Sequence, residues 1–511
     1  MLARIASEAL FGLESHAVDV EADVVAAAPA FTIVGLPDAA VQESRERVRA
    51  AIVNSSYEFP SRRITVNLAP ADLRKEGPSF DLPIALAFLL ATSQACARER
   101  RVAAVGELGL DGSVRPVSGV LALAESARRR GVDALLLPLA NAREAALVEG
   151  LEVFPVATLR EAAAALERGA GAQRVSVCAE ELLAVAALDE VDMADVVGQE
   201  HAKRALEVAV AGAHNALMVG PPGSGKTMLA RRLPSIMPRF SVDEAIEVTR
   251  IYSVAGLLPA DTPLIARRPF RAPHHTISSA GLVGGGNTPR PGEVSLAHLG
   301  VLFLDEFPEF RLSSLEALRQ PLEDGYVTIS RALTSLTFPA RMMLVAAMNP
   351  CPCGFRGDAE RECSCPAHRL LQYGSKLSGP LLDRIDLQLE VARLPPREQR
   401  GRSGGEASAT VRERVAAARR RQLRRLAGTG AYANGHMTAR QVRRLCRAEP
   451  AAVDLLDRAY ERLRLTARAC DRILKVARTI ADLEDSDEIR QAHVSEALSY
   501  RRRWSRPLAS P

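Results

Sequence analysis

The chain has no apolar run able to cross a bilayer. Its longest, residues 84–97, is too short and too polar, so a helical membrane protein is excluded and no membrane partner is expected. No secretory leader is expected either. Residues 1–12 have neither a basic start nor a small-residue cleavage site, so a cytoplasmic protein is expected. Disulfides are rare in that compartment, so the eight cysteines point to metal wherever they cluster. Excess charge is also scarce overall, at +5 for 511 residues. Arginine nevertheless crowds the last third, which raises nucleic acid as a partner. The rest is ordinary: 47% hydrophobic and 25% charged residues suit about three or four soluble globular domains.

One stretch organises the chain. Residues 216–219 are apolar and lead into Gly220, Pro221, Pro222, Gly223, Ser224, Gly225, Lys226 and Thr227, then into helical residues 228–233. Strand, glycine-rich loop and helix follow in the order of a phosphate-binding loop. Gly220, Gly223 and Gly225 let the backbone wrap an anion closely, with its amides aimed inward at a helix N-terminus. Lys226 can reach the β- and γ-phosphates of a nucleotide, and the Thr227 hydroxyl can hold Mg²⁺.

Farther on, residues 301–304 are wholly apolar and end in Asp305-Glu306, which suits a parallel strand buried on both faces. Asp305 can bind Mg²⁺ through water, and Glu306 can polarise the attacking water as general base. A third strand over 342–348 ends in Asn349. This residue either hydrogen-bonds the γ-phosphate or the attacking water, or is a turn residue before Pro350. Arg384 stands in an otherwise apolar helix entry. It is either an arginine supplied to a neighbouring subunit's transferring phosphate or the partner of Asp383 or Asp386. Cys351 and Cys353, then nine residues, then Cys363 and Cys365, can close a structural Zn²⁺ site, with His368 as a substitute ligand. Reduced free thiols are the alternative. His274-His275 reads as structural hydrogen bonding, for want of a further ligand at metal spacing.

The N-terminal third reads as α+β. Residues 16–25 and 64–68 alternate as strands, and a helix capped at Asp38 puts Val41, Val48 and Ile52 on one side. An Ala-rich helix ends the region near residue 165. Lys75-Glu76-Gly77-Pro78-Ser79, a helix over 80–90, Val105-Gly106-Glu107-Leu108 and residues 112–119 follow in an order that resembles the proteolytic domain of Lon proteases. Ser79 matches the serine of that family. The lysine that activates it is missing, because the positions after Gly119 read Val120-Leu121-Ala122-Leu123. A serine without a base is a weak nucleophile. The domain is therefore expected to be proteolytically inactive unless a base comes from elsewhere, with Ser79 capping a helix.

Asp305-Glu306, Asn349 and Arg384 match the Walker B, sensor-1 and arginine-finger positions of AAA+ ATPases. Residues 31–38, Arg271-Ala272-Pro273-His274-His275-Thr276 and residues 349–354 extend the match. Over nearly its whole length the chain resembles the magnesium-chelatase-like branch of that family, of ComM (YifB) type. The resemblance implies a hexameric ring that hydrolyses ATP at subunit interfaces. It also implies a DNA-helicase role in branch migration during integration of transforming DNA. It makes Arg468 the sensor-2 arginine, with Arg472 the near alternative, and makes residues 281–291 a mobile insert. A hairpin over 326–330 and 335–338 becomes a pore hairpin, whose Arg331 either touches a DNA phosphate or sits at a solvated tip.

Residues 393–408 read as a flexible connection, followed by helices over 409–426, 438–447, 451–464, 466–483 and 490–500. Arg419, Arg420, Arg421, Arg424 and Arg425 form either a solvated helix face or a phosphate-binding patch. Trp504 either stacks on bases or packs on these helices. The expected fold class is thus α/β. A P-loop AAA+ core over 195–392, carrying the cysteine insert, lies between an N-terminal Lon-protease-like α+β domain over 1–170 and a C-terminal α-helical lid over 409–511. Linkers fall at 171–194 and 393–408. The expected function is an ATP-driven motor on single-stranded or branched DNA. The alternative is a chelatase-like ATPase that remodels a protein or cofactor with a partner protein, although the chain shows no integrin-like domain for that partner. A protease is disfavoured by Leu121 and Leu123.

Overall fold

A computed structural model describes residues 1–97, 101–168, 175–185, 191–259, 261–286, 289–331, 334–358, 360–393 and 405–501. The chain divides into two units, one of residues 1–186, 241–266 and 330–337, the other of 187–240, 267–329 and 338–511.

The first unit is built on seven strands, in the order Ala30–Val34, Arg63–Ala69, Glu14–Val25, Leu2–Phe11, Val102–Ala104, Ala134–Pro138 and Glu152–Val156. Leu2–Phe11 and Glu14–Val25 form an antiparallel hairpin, and the strands beyond Leu2–Phe11 run parallel to it. Alternation buries Val18, Val20, Ala22 and Val24. The helix Ala39–Asn54 starts at Asp38, whose carboxylate accepts the Val41 N–H at 2.8 Å, and it lays Val41, Val48 and Ile52 on the core. Sequence reasoning assigned no strand to Leu2–Phe11, the centre of the sheet.

Ser79 does not cap a helix. It lies inside the 3-10 turn Pro78–Phe80, and the helix Asp81–Ala91 follows with no side-chain cap. The turn is fixed from elsewhere, since the Ser79 carbonyl accepts the Gly106 N–H at 2.9 Å. The buried Asp81 carboxylate binds Arg47 Nε at 2.8 Å, the Leu108 N–H at 3.2 Å and the Ser44 hydroxyl. Asp81→Ala strands three donors at one point. It is expected to cost about 3 kcal/mol, as breaking a buried pair does, read as a lower denaturant midpoint. Leu121 and Leu123 are buried in the helix Val120–Arg129.

A further helix, Val242–Ala255, opens with a capping box of Ser241 and Glu244. Although it follows the phosphate loop in sequence, it belongs to this first unit. Its Ser253 hydroxyl donates to the buried Glu144 carboxylate, its Ser253 carbonyl accepts the Gly119 N–H at 3.1 Å, and Arg250 pairs with Glu125 at 3.0 Å. Burial raises the Glu144 carboxyl above its ordinary range, against the hydrogen bonds it accepts.

The second unit carries a five-stranded sheet in the order Phe270–Arg271, Val301–Leu304, Met343–Met348, Ala216–Val219 and Leu387–Glu390, all parallel. Both faces are buried, as the unbroken apolar strands require. Ala216, Met218, Phe303 and Val345 enter one core, while Leu217, Val219, Leu302 and Leu344 enter the other. The helix Glu200–Gly212 packs in the first of these cores with Ser408–Leu426 and Ala467–Leu483, so the C-terminal helices share a core with the sheet. No helix among the described residues is long and apolar enough to cross a membrane.

Candidate active site

Because the five strands run parallel, their carboxyl ends share one edge, where such sheets take ligands. The loop Gly220–Gly225 follows Val219 there, Asp305 follows Leu304, and Asn349 follows Met348. Gly223 and Gly225 adopt φ of +77° and +92°, and a Cβ on Gly220 would strike the Val391 carbonyl. The Thr227 hydroxyl donates to Asp305 Oδ2 at 2.7 Å, which marks these two as neighbours able to share a divalent cation. Lys226 Nζ donates to the carbonyls of Gly220 at 2.8 Å and Pro221 at 2.9 Å and to Asn349 Oδ1 at 3.3 Å. Burial lowers its pKa, against the pull of the Asp305 carboxylate.

Glu306 holds a left-handed backbone, φ 50°, and its N–H donates to Asp305 Oδ1 at 2.9 Å. A non-glycine residue there is strained, as residues at functional sites often are. The Glu306 carboxylate meets His275 Nδ1 at 3.2 Å, and the His275 ring lies 4.1 Å from that of His274, tilted by 34°. The Lys226 ammonium, the Thr227 hydroxyl, the Asn349 amide oxygen and the Asp305 carboxylate thus gather at the phosphate loop, with Glu306 next in the chain, an arrangement suited to phosphoryl transfer.

Arg384 lies elsewhere. It precedes the amino end of Leu387–Glu390 and is held there by Asn215, which itself precedes Ala216–Val219. Asn215 Nδ2 donates to the Arg384 carbonyl at 3.0 Å, and the Asn215 carbonyl accepts the Asp386 N–H at 2.9 Å. A four-residue strand is about 13 Å long, so roughly that distance separates Arg384 from its own phosphate loop. The guanidinium binds Glu323 and the Pro380 carbonyl, the latter at 2.7 Å, and pairs with neither Asp383 nor Asp386. Asp386 instead takes His214 at 3.1 Å and Arg472 at 3.8 Å. Arg468, at the start of Ala467–Leu483, lines the same cavity of about 610 Å³ as Arg384, Glu323 and Arg472, and no phosphate-loop residue lines it. The Glu323 carboxyl is held below its ordinary range, chiefly by its hydrogen bond to Arg384 and further by the charges of Arg468 and Arg472. The structure therefore brings Arg468 to Arg384 and not to Lys226.

The Sγ atoms of Cys351, Cys353, Cys363 and Cys365 all lie within 4.8 Å of one another. The Phe355 amide lowers Cys353 to about 6, whereas burial raises Cys351 to about 12. His368 is no substitute ligand; it sits on the helix Ala367–Ser375, outside the cluster. The hairpin forms over Tyr326–Arg331 and Thr334–Pro339, and the Arg331 side chain lies outside the described residues. The 281–291 insert contains the end of a short helix, Ser279–Val283, and a strand pair, Gly284–Gly285 with Arg290–Pro291. The arginine run on Ser408–Leu426 is largely spent on internal partners. Arg419 donates to the Val210 and Ala211 carbonyls, Arg421 pairs with Asp485 and Asp487, and Arg425 pairs with Asp482. Trp504 lies outside the described residues.

In sequence, His275 reads only as a structural hydrogen-bonding residue, and Glu323 and Tyr373 are unmarked. His275 faces Glu306, Glu323 holds Arg384, and the Tyr373 hydroxyl donates to the Asn349 carbonyl at 3.2 Å. No local signal marks the first, since His275 reaches Glu306 only through the pairing of Phe270–Arg271 with Val301–Leu304.

Three family models match the chain: subunit ChlI of Mg-chelatase over residues 20–141, magnesium chelatase subunit ChlI over 192–399, and its C-terminal region over 405–501. The chain is 44% identical over 505 residues to protein YifB of Salmonella typhimurium, covering 98% of this chain and 97% of that one. It is 43% identical over 508 residues to competence protein ComM of Haemophilus influenzae, with the same coverage of 98% and 97%. A partial likeness, 32% over 151 residues, links 28% of the chain to 27% of Lon protease 2 of Bacillus subtilis.

Proposed function

Because this chain belongs to the magnesium-chelatase-like AAA+ ATPases of YifB and ComM type, we propose that it is an ATP-driven DNA motor. It works as a ring, a hexamer by family resemblance, on single-stranded or branched DNA, in branch migration as transforming DNA is integrated. The observation that carries this reading is a division of charge. Lys226, Thr227, Asp305, Glu306 and Asn349 meet at the carboxyl edge of the sheet, while Arg384 stands at the amino edge with Arg468 in its cavity. A chain cannot place Arg384 on the phosphate held by its own Lys226, but a second copy can.

In the complete site the loop amides and Lys226 hold the β- and γ-phosphates of ATP. Thr227 and Asp305 are the residues that would hold Mg²⁺, which neutralises charge developing on the phosphate oxygens. Glu306 takes the proton of the attacking water, Asn349 orients that water or the γ-phosphate, and the neighbour's Arg384 and Arg468 balance the charge. The four thiols hold a structural Zn²⁺. At the hairpin, Arg331 is of a residue type suited to a DNA phosphate. One full-length relative carries the name competence protein, which fits the handling of incoming DNA. The cytoplasm is the compartment of this reading.

The pairing with His275 orients Glu306 in this scheme. His275→Ala is expected to lower kcat about tenfold with the KM for ATP unchanged, short of the ~100-fold that a 1 Å misplacement costs. A faster variant would instead mark the pair as a restraint on Glu306.

The deciding experiment measures ATP turnover without DNA and with single-stranded or forked DNA, with strand displacement followed in parallel. Acceleration and displacement are expected. If nucleic acid neither speeds turnover nor is unwound, the function moves to remodelling of a partner protein or cofactor.

A further inference from the structure

Between Asn349 and the helix Ala367–Ser375 the described chain forms neither helix nor strand, and Cys351 is its one buried side chain. The segment has no apolar core of its own to hold it. It is nevertheless fixed against the nucleotide site at two points. Gly354, at φ +87°, backs onto the phosphate loop so closely that a Cβ there would lie 2.6 Å from Cδ of Pro222. Asn349, at the start of the segment, accepts from Lys226 Nζ at 3.3 Å.

The four thiols draw the segment together. Cys351 and Cys353 Sγ are 3.3 Å apart, Cys351 and Cys363 are 3.6 Å apart, and Cys353 and Cys363 are 3.7 Å apart. Tetrahedral Zn²⁺ with Zn–S near 2.3 Å places its sulfurs ~3.8 Å from one another. A disulfide would need about 2.0 Å. The spacing therefore suits one metal ion shared by all four.

We propose that Zn²⁺ on Cys351, Cys353, Cys363 and Cys365 is the fastener that keeps Gly354 against Pro222 and Asn349 beside Lys226, so that metal content sets the rate of ATP turnover. The effect on rate rests on the ATPase reading above. Where a segment lacks a core, the free energy of metal binding is the free energy of its folding. Without zinc the phosphate loop loses its neighbour at Pro222, and Lys226 loses the fixed Asn349 acceptor. Nucleotide still binds through the loop amides and Thr227. Hydrolysis slows because it depends on placement within about 1 Å.

The test uses the full chain in three forms: wild type, Cys363→Ser/Cys365→Ser, and Gly354→Ala, which keeps every thiol. Metal analysis, hydrogen exchange over residues 220–227 and 349–366, and ATP turnover are measured on each. Wild type is expected to carry about one zinc per chain. The double variant should lose it, exchange faster in both segments and turn over roughly tenfold or more slowly, as loss of supporting contacts at metal sites does. Gly354→Ala should keep its zinc yet exchange faster over 220–227 and turn over several-fold more slowly. Zinc-free wild type overturns the proposal. So does a zinc-free double variant, or a Gly354→Ala protein, whose 220–227 exchange and kcat match wild type. A zinc-loaded wild type that hydrolyses no ATP would remove the ATPase reading and the effect on rate, while exchange still reports on the fastening.

Discussion

Glu306→Gln is expected to bring ATP turnover down by ~100-fold to ~10,000-fold, the range a positioned general base supplies, while ATP still binds. The residues that would hold nucleotide are the loop amides, Lys226 and Thr227, and none of them uses the Glu306 carboxylate as a partner. Glutamine has the same length and shape, so the left-handed backbone at φ 50° and the N–H bond to Asp305 Oδ1 are kept. It can also keep the 3.2 Å contact with His275. Only the basic lone pair is lost. Phosphate release and equilibrium binding of a fluorescent ATP analogue separate the two effects. Turnover within a few-fold of wild type would take Glu306 out of the reaction and leave Asp305 as the remaining carboxylate. Loss of binding and turnover together would mean that the substitution had disturbed the loop, not the base.

Much of this site could be read from the chain because its parts are local. The loop from Gly220 to Thr227 is contiguous, and a strand's end is marked where apolar residues stop, as at Leu304 before Asp305 and at Met348 before Asn349. The helix ends were likewise marked at Asp38 and Thr466, whose side chains accept the Val41 and Ala469 N–H groups. The cysteines were readable for the same reason, lying within fifteen positions of one another. What could not be read depends on the order of strands and on which core an element joins. His275 and Glu306 are 31 positions apart and meet because Phe270–Arg271 pairs with Val301–Leu304. Val242–Ala255 had its capping box in plain view, but nothing in the box says that its Ser253 seeks Glu144 in the N-terminal third. Ser79 had the spelling of a cap, yet a proline-led turn ending at the buried Asp81 took its place. The arginines of Ser408–Leu426 read as a solvated face or a phosphate-binding patch because the acids that claim Arg421 and Arg425, namely Asp482, Asp485 and Asp487, lie about sixty positions later.

Arg384→Ala is expected to lower kcat by ~1,000-fold or more, the worth of an arginine supplied to a transferring phosphoryl group, with ATP binding retained. The loss should not come from unfolding. The guanidinium's partners are Glu323, itself 58% exposed, and a carbonyl, while the backbone stays tied to Asn215. The sharper expectation comes from mixing. Arg384→Ala chains keep Lys226, and Lys226→Ala chains keep Arg384, so each protein alone lacks one half of every site. Mixed in equal amounts and allowed to exchange, about a quarter of the interfaces pair an intact loop with an intact neighbouring arginine in a head-to-tail ring. Turnover should therefore reappear in the mixture, toward about a quarter of wild type, and vanish when the subunits are crosslinked before mixing. The same mixing with Arg468→Ala in place of Arg384→Ala should also rescue, since both arginines line one cavity remote from the phosphate loop. Failure of Arg384→Ala to complement, with exchange demonstrated by a labelled subunit, would confine the arginine to its own chain. Arg384 would then be left as the partner of Glu323, and the division of the site between two copies would be lost.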